Sequence, residues 1–224
     1  MKSTQPLATI WDMDGTILDT ERLAMESWEE VCIAHGYLNP KPTLYKLIGR
    51  TWKDSAAILQ EDFGEDFDPE EMRIVRNRIT DERMAQHGIP VKAGVESTLT
   101  WLRSRHVPSA VASSTRREKV VTYLQGTHLL PHFKTVVGGD QVLRGKPDPE
   151  IFLKAASQLK VKPEQCVVFE DSFNGVLAAH AANMRVVMIP DLLPATEEIL
   201  RYVHHQLQSL EEAMPLLGRM FMTK

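Results

Sequence analysis

The sequence predicts an α/β protein: a doubly wound, Rossmann-like parallel sheet with a helical domain inserted near its N-terminal end. Three observations carry this. Short apolar, β-branched runs alternate with helical patterns along most of the chain, as in a parallel sheet covered on both faces. Residues 20–90 interrupt the alternation with helical patterns alone. Several strand candidates end in polar residues, at the edge where open α/β sheets bind ligands. The 224 residues are enough for one large domain carrying an insertion. Residues 1–19 and 91–224 are assigned to a discontinuous core, and 20–90 to the inserted helical domain.

The first strand is expected at Leu7–Trp11. Helical patterns follow at Glu21–His35, Thr51–Phe63 and Pro69–His87. Leu23, Trp28, Val31 and Ala34 form one apolar face of the first helix, and Gly36 ends it. Helices packed directly on the sheet are the alternative. The insertion is preferred because crossovers in such sheets are usually short. Alternation resumes with a helix at Val95–Arg105 and a strand at Ser109–Ala112. A helix at Arg116–Gln125 and a strand at Thr135–Val137 come next, then a helix at Pro149–Leu159. The last units are a strand at Cys166–Phe169, a helix at Asn174–Asn183 and a strand at Arg185–Ile189. The helix after Pro149 is well marked. Asp148 can cap it, Pro149 suits its first turn, and Ile151, Phe152, Ala155, Ala156 and Leu159 recur at helical spacing.

Composition narrows the function. Hydrophobic residues make up 43% and charged residues 25%, ordinary values for a soluble globular protein. The formal net charge is −4, and no basic run is long enough to track a phosphate backbone, which argues against nucleic acid as partner. Cys32 and Cys166 sit in apolar surroundings and read as buried free thiols. The N-terminal Met1–Pro6 is polar, with no apolar signal core after it. No stretch approaches the roughly 20 apolar residues of a membrane span. The expectation is a cytoplasmic protein that binds no membrane, a monomer or weak homo-oligomer.

Chemistry concentrates in four motifs. The first strand runs into Asp12-Met13-Asp14-Gly15-Thr16. Two carboxylates this close repel unless a cation or shared proton sits with them. A divalent metal would relieve the repulsion and leave an oxygen free to attack an electrophile; an acidic turn or a calcium-like loop is the plainer reading. The second motif, Val111-Ala112-Ser113-Ser114-Thr115, ends a strand in hydroxyls just before a helix, which suits either a phosphate cradle or simple capping. The third, Gly145-Lys146-Pro147-Asp148-Pro149, presents a lysine in a proline-bounded loop, able to offset phosphoryl charge. The fourth is Val167-Val168-Phe169-Glu170-Asp171-Ser172, with Asn174-Gly175 beyond. Adjacent acids at a buried strand end need a compensating cation, and hard oxygen ligands suit Mg2+.

Order and spacing of these motifs resemble those of the haloacid dehalogenase superfamily, from Asp12 to about Ile189. Within it the chain is similar to the branch of β-phosphoglucomutase and small sugar-phosphate phosphatases, where a helical cap follows the first motif, as residues 20–90 would here. The resemblance implies an Mg2+-dependent phosphatase acting on a small phosphorylated metabolite. Asp12 would attack phosphorus and form an aspartyl phosphate, and Asp14 would serve as acid and then base. Ser113 and the Ser114 amide would hold phosphoryl oxygens, and Lys146 would neutralise charge. Mg2+ would be bound by Asp12, the Asp14 carbonyl and Asp171, with Glu170 close by or ligating.

The departures bear on activity. The mutases of this branch carry a cap histidine where this chain has Ala24. They carry a cap arginine after Leu-x-Gly, where Leu47-Ile48-Gly49-Arg50-Thr51-Trp52 places Trp52. A phosphatase is therefore favoured over a sugar-phosphate mutase. A phosphonate hydrolase, with Lys53 as its amine, and a non-catalytic binding protein rank lower. Arg50, Trp52 and Lys53, with Arg116 and Arg117, are specificity candidates. Asn183 stands where relatives carry glycine, and asparagine tolerates the left-handed cap.

Overall fold

The computed structural model describes residues 7–48, 50 and 52–221. Met1–Pro6, Gly49 of the Leu47–Trp52 run, and Thr51, where a predicted helix begins, lie outside them. Among the described residues, six parallel strands form one sheet. They are β1 Ala8–Trp11, β2 Ser109–Ser113, β3 Thr135–Gly138, β4 Cys166–Glu170, β5 Arg185–Met188 and β6 His205–Gln206. Their order is β3-β2-β1-β4-β5-β6. Ile10 of β1 pairs with Ala110 on one side and Val168 on the other. The order reverses between β1 and β4, where doubly wound sheets open a crevice for ligands.

Each predicted strand is present, with ends differing by one residue. The edge strand β6 was not expected, because two exposed residues give no apolar pattern. β1, β2 and β4 are buried along their whole length. Trp11 stacks on Phe169 with ring centres 4.1 Å apart. Its indole N–H donates to Thr9 Oγ1 at 2.9 Å, and Thr9 Oγ1 lies 2.8 Å from Ser109 Oγ. The buried polar atoms of the central strands are thus satisfied within the sheet.

The helices are α1 Thr20–Ala34, α2 Lys41–Tyr45, α3 Trp52–Phe63, α4 Pro69–His87, α5 Val95–Ser104, α6 Arg117–Gly126, α7 Glu150–Leu159, α8 Phe173–Ala181, α9 Glu197–Leu200 and α10 Ala213–Phe221. Contacts divide the chain into two compact units, and α1–α4 fall in the unit Asp19–Pro90. Within that unit α1 packs on α4, around Trp28, Val31, Cys32, Leu44, Leu59 and Phe67. Asp68 caps α4 by accepting from Glu70 N (2.9 Å) and Glu71 N (3.1 Å), with Pro69 in the first turn. Ala34 was expected on the apolar face of α1 but is exposed. Ser27 and Cys32 are buried there instead, and Gly36 follows the helix at φ +87°. α2, α9 and α10 escaped the sequence reading. The first two are four or five residues long, and Pro215 and Gly218 hide the third.

In the other unit, Ala8, Ile10, Val168 and Val186 of the sheet pack with Ile151, Phe152 and Ala155 of α7 and Val176 and Ala179 of α8. Asp148 was expected to cap α7, but the N-cap residue is Pro149; Asp148, one residue earlier, accepts from Glu150 N at 3.0 Å. Cys32 and Cys166 are free and buried. No helix among the described residues is long and apolar enough to cross a membrane. Ile10→Ala is expected to cost about 2–5 kcal/mol in urea unfolding, because Ile10 is fully buried at the centre of the sheet. Leu7→Ala, 48% exposed one residue before β1, should stay within about 0.5 kcal/mol.

Candidate active site

The carboxyl ends of β1 and β4 present two acids to one amine. Lys146 Nζ lies 2.5 Å from Asp12 Oδ1 and 2.6 Å from Glu170 Oε1. Its side chain is only 5% exposed, and Nζ passes 4.9 Å from the Phe152 ring centre. The register places Asp12 and Glu170 side by side, since Trp11 pairs with Phe169 and Asp12 N donates to Phe169 O at 3.0 Å. The Lys146 loop is fastened to α7. The Glu150 carboxylate accepts from Leu143 N and Arg144 N at 3.0 Å each, and Asp148 pairs with Arg144 at 3.0 Å. The Lys146–Pro147 peptide bond is cis.

Glu170 is fully buried. Its Oε2 accepts from Ser172 N (2.7 Å) and Ser172 Oγ (2.9 Å). Ser172 Oγ in turn accepts from Gly175 N at 3.1 Å, capping α8. A Cβ on Gly175 would overlap the Glu170 carboxylate, so only glycine fits under it. Asp171 turns the other way, toward the first motif. It accepts from Thr16 Oγ1 at 3.0 Å and lies against Gly15, where a Cβ would overlap it. Gly15 also holds φ +83°, a conformation that favours glycine. The Asp-Gly-Thr run therefore builds the seat of Asp171.

Asp14 faces β2. Thr115 Oγ1 donates to Asp14 Oδ2 at 2.8 Å, and Ser113 Oγ donates to the same oxygen at 3.3 Å. Ser113 Oγ also accepts from Thr115 N at 3.0 Å. Behind them, Gly139 N donates to Thr115 O at 3.0 Å, and a Cβ on Gly139 would overlap Ser114 O. Asp140 Oδ1 accepts from Arg117 N at 2.7 Å, capping the first turn of α6.

Charge is unbalanced here. Asp12 and Glu170 flank Lys146, and Asp14 adds a third negative charge near Asp12. Burial, aided by Glu170 and Asp14, holds the Asp12 carboxyl well above the usual carboxylate range despite the pull of Lys146. Burial opposes the Lys146 charge too, but Asp12 and Glu170 outweigh it and raise the amine above its usual value. A further cation would favour ionised Asp12. No group of three or more His, Cys, Asp or Glu side chains among the described residues is gathered as a metal cluster. The Glu170 oxygens go to Lys146 and Ser172, and Asp14 Oδ2 goes to two hydroxyls. Asp12 and Asp171, at the ends of β1 and β4, are carboxylates that could hold a metal. So sparse a set of hard oxygen donors fits Mg2+, which keeps several waters and takes one or two carboxylates.

Asp12, Asp14, Ser113, Lys146, Glu170 and Asp171 thus lie at the carboxyl edge of the sheet or in the loop before α7, with Ser114 just beyond Ser113, the last residue of β2. The specificity candidates fall in both units: Arg116 and Arg117 follow β2, and Arg50, Trp52 and Lys53 belong to the unit Asp19–Pro90. Arg117 turns its guanidinium back to Val136 O at 3.3 Å, and Arg116 is exposed. Trp52 is tied into the Asp19–Pro90 unit: it donates to Glu70 Oε1, stacks on Trp28 at 6.4 Å and lies under Arg73 at 4.4 Å. Arg50 and Lys53 are exposed in that unit. The sequence reading assigned no role to Thr16, Thr115, Ser172 or Gly175. Their only signal was membership of the quoted motifs.

The haloacid dehalogenase-like hydrolase family model matches residues 9–189, the span that holds every residue of this group. The chain belongs to the haloacid dehalogenase-like hydrolases. It is 34% identical over 184 residues to the phosphorylated carbohydrates phosphatase of Thermotoga maritima, covering 79% of this chain and 82% of that protein. It is 35% identical over 184 residues to the fructose-1-phosphate phosphatase YqaB of Escherichia coli, covering 80% and 93%. The solved structure of a haloacid dehalogenase family hydrolase from Deinococcus radiodurans, with bound phosphate and sodium, matches at TM-score 0.80 and 26% identity, covering 96% of each chain.

Gly175→Ala tests the packing of this family site. The added methyl meets a carboxylate pinned from both sides, so the variant should lose at least about 2 kcal/mol in urea unfolding. Wild-type stability would show that Glu170 can move aside.

Proposed function

We propose that the protein is an Mg2+-dependent phosphatase of small phosphomonoesters, of the sugar-phosphate class, working through an aspartyl phosphate on Asp12. The observation that carries this is the division of labour between two acids on one loop: Asp12 held by an ammonium, Asp14 held by hydroxyls. Two carboxyl groups with different surroundings can take different roles in one reaction. The names of the relatives, for phosphorylated carbohydrates and fructose 1-phosphate, support the substrate class.

In this mechanism an Asp12 oxygen attacks phosphorus as the bond to the alcohol oxygen breaks, and Asp14 delivers a proton to that oxygen. Asp14 then takes a proton from water, which attacks phosphorus and releases Asp12 with inorganic phosphate. The Ser113 hydroxyl and the Ser114 amide hold phosphoryl oxygens, and Lys146 balances their charge. Glu170 keeps Lys146 aimed at Asp12. Asp12, Asp171 and the Asp14 carbonyl would hold Mg2+, which supplies positive charge against the phosphoryl oxygens and the carboxylates. The unit Asp19–Pro90 serves as the cap, with Arg50 and Lys53 as its candidates for reading the substrate.

Phosphate release from a panel of sugar phosphates, nucleotides and p-nitrophenyl phosphate tests this. Turnover should require Mg2+, stop in EDTA, and fall at least about 10^4-fold in Asp12→Asn with folding intact, since the nucleophile is lost. Full activity in Asp12→Asn would overturn the mechanism. Interconversion of hexose 1- and 6-phosphates without net phosphate release would replace the phosphatase with a mutase.

A further inference from the structure

We infer that Thr115 is a positioning residue, whose hydroxyl holds Asp14 in place for proton delivery once Ser113 has turned to the phosphoryl group. The inference rests on the reading of Asp14 as acid given above, and adds a residue and a sequence of contacts to it.

Two hydroxyls converge on Asp14 Oδ2, and they differ. Thr115 Oγ1 stands at 2.8 Å, the ordinary length of an O–H···O bond, whereas Ser113 Oγ stands at 3.3 Å. Ser113 has one hydroxyl proton. Its oxygen is fixed by the Thr115 amide at 3.0 Å, so only the proton's direction can change. A phosphoryl oxygen carries more charge than half a carboxylate already served by Thr115, and would draw that proton away. Asp14 then keeps the Thr115 bond. A carboxyl group must sit within hydrogen-bond reach of the atom it protonates. The Thr115 donor on Oδ2 helps to fix its plane.

Thr115 is built to stay. Its amide donates to Ser113 Oγ, and its carbonyl accepts from Gly139 N at 3.0 Å. Glycine at 139 allows that approach, since a Cβ there would meet the Ser114 carbonyl. Two residues on, Asp140 clamps Arg117 N at 2.7 Å and fixes the start of α6. The backbone on both sides of Thr115 is thus anchored to the end of β3. A β-branched side chain on such a backbone has few rotamers to choose from. Serine could make the same bond with more freedom.

The test separates positioning from phosphate binding by leaving group. p-Nitrophenolate departs without a proton, whereas a sugar or other alkyl alkoxide needs one. The readout is the rate of leaving-group release in the first turnover, so that slow hydrolysis of the aspartyl phosphate does not mask it. The substrates are p-nitrophenyl phosphate and the best alkyl phosphate of the panel. Thr115→Val should slow alcohol release about tenfold, the value of one hydrogen bond to a charged group. p-Nitrophenol release should stay within about twofold on the same grounds. Thr115→Ser should restore most of the loss. Equal losses on both substrates, or none on either, would overturn the inference. Asp14→Asn is the control for the underlying reading. If it fails to distinguish the two leaving groups, Asp14 is not the acid. If it distinguishes them and Thr115→Val does not, the acid stands and Thr115 does not position it.

Discussion

The structure hangs on one buried ammonium. Placing Lys146 almost out of water would cost several kcal/mol without partners. Its partners come from elsewhere: Asp12 from the end of β1 and Glu170 from the end of β4, both within 2.6 Å. Neighbouring strands set the spacing of the two acids before any loop is placed. The loop before α7 then has to bring Lys146 to them, which explains how firmly Glu150 and Asp148 fasten it. Glu170 needs its own support, since a carboxylate with no access to water must fill both oxygens. Ser172 supplies it from the cap of α8. One charge requirement thus fixes the relative positions of three segments that are remote in sequence.

Steric openness matters as much as charge. Gly15, Gly139 and Gly175 each sit where a Cβ would strike a carboxylate or a backbone carbonyl. They let acidic side chains and loops close to hydrogen-bond distance without a hydrophobic core between them. Asp12 and Asp14 share a loop yet meet different surroundings for this reason. Met13 between them is buried, and the two acids flank it. One is packed beside Lys146; the other is held by Thr115 and Ser113 at the end of β2.

The fold was legible because parallel strands buried on both faces read as apolar runs and their helices read as periodic ones. Elements without such a pattern were not: β6 is two exposed residues, and Pro215 interrupts α10. The site was legible as four motifs and one edge. Its internal wiring was not. A pair of adjacent acids, Glu170-Asp171, does not announce that one turns to Lys146 and the other to Thr16, because side chains at a strand's end diverge with the turn that follows. Trp52 likewise has contacts that the sequence did not announce: its indole meets Trp28, Glu70 and Arg73 within its own unit.

The same wiring bears on specificity. The groups gathered at the sheet edge are carboxylates, small hydroxyls, backbone amides and one lysine. All of them suit a phosphoryl group, a metal or a proton in flight, and none offers an apolar wall or a hydrogen-bonding pattern for a particular alcohol. Arg117, the nearest long side chain of the cradle helix, is spent on Val136 O. A site made this way can break the phosphate ester of many alcohols at similar cost. Discrimination among them then has to come from side chains outside the group, because uniform phosphate binding cannot tell one ester from another. That is the physical reason for placing substrate choice in the proposed cap, and for expecting relatives with the same edge residues to act on different phosphoesters.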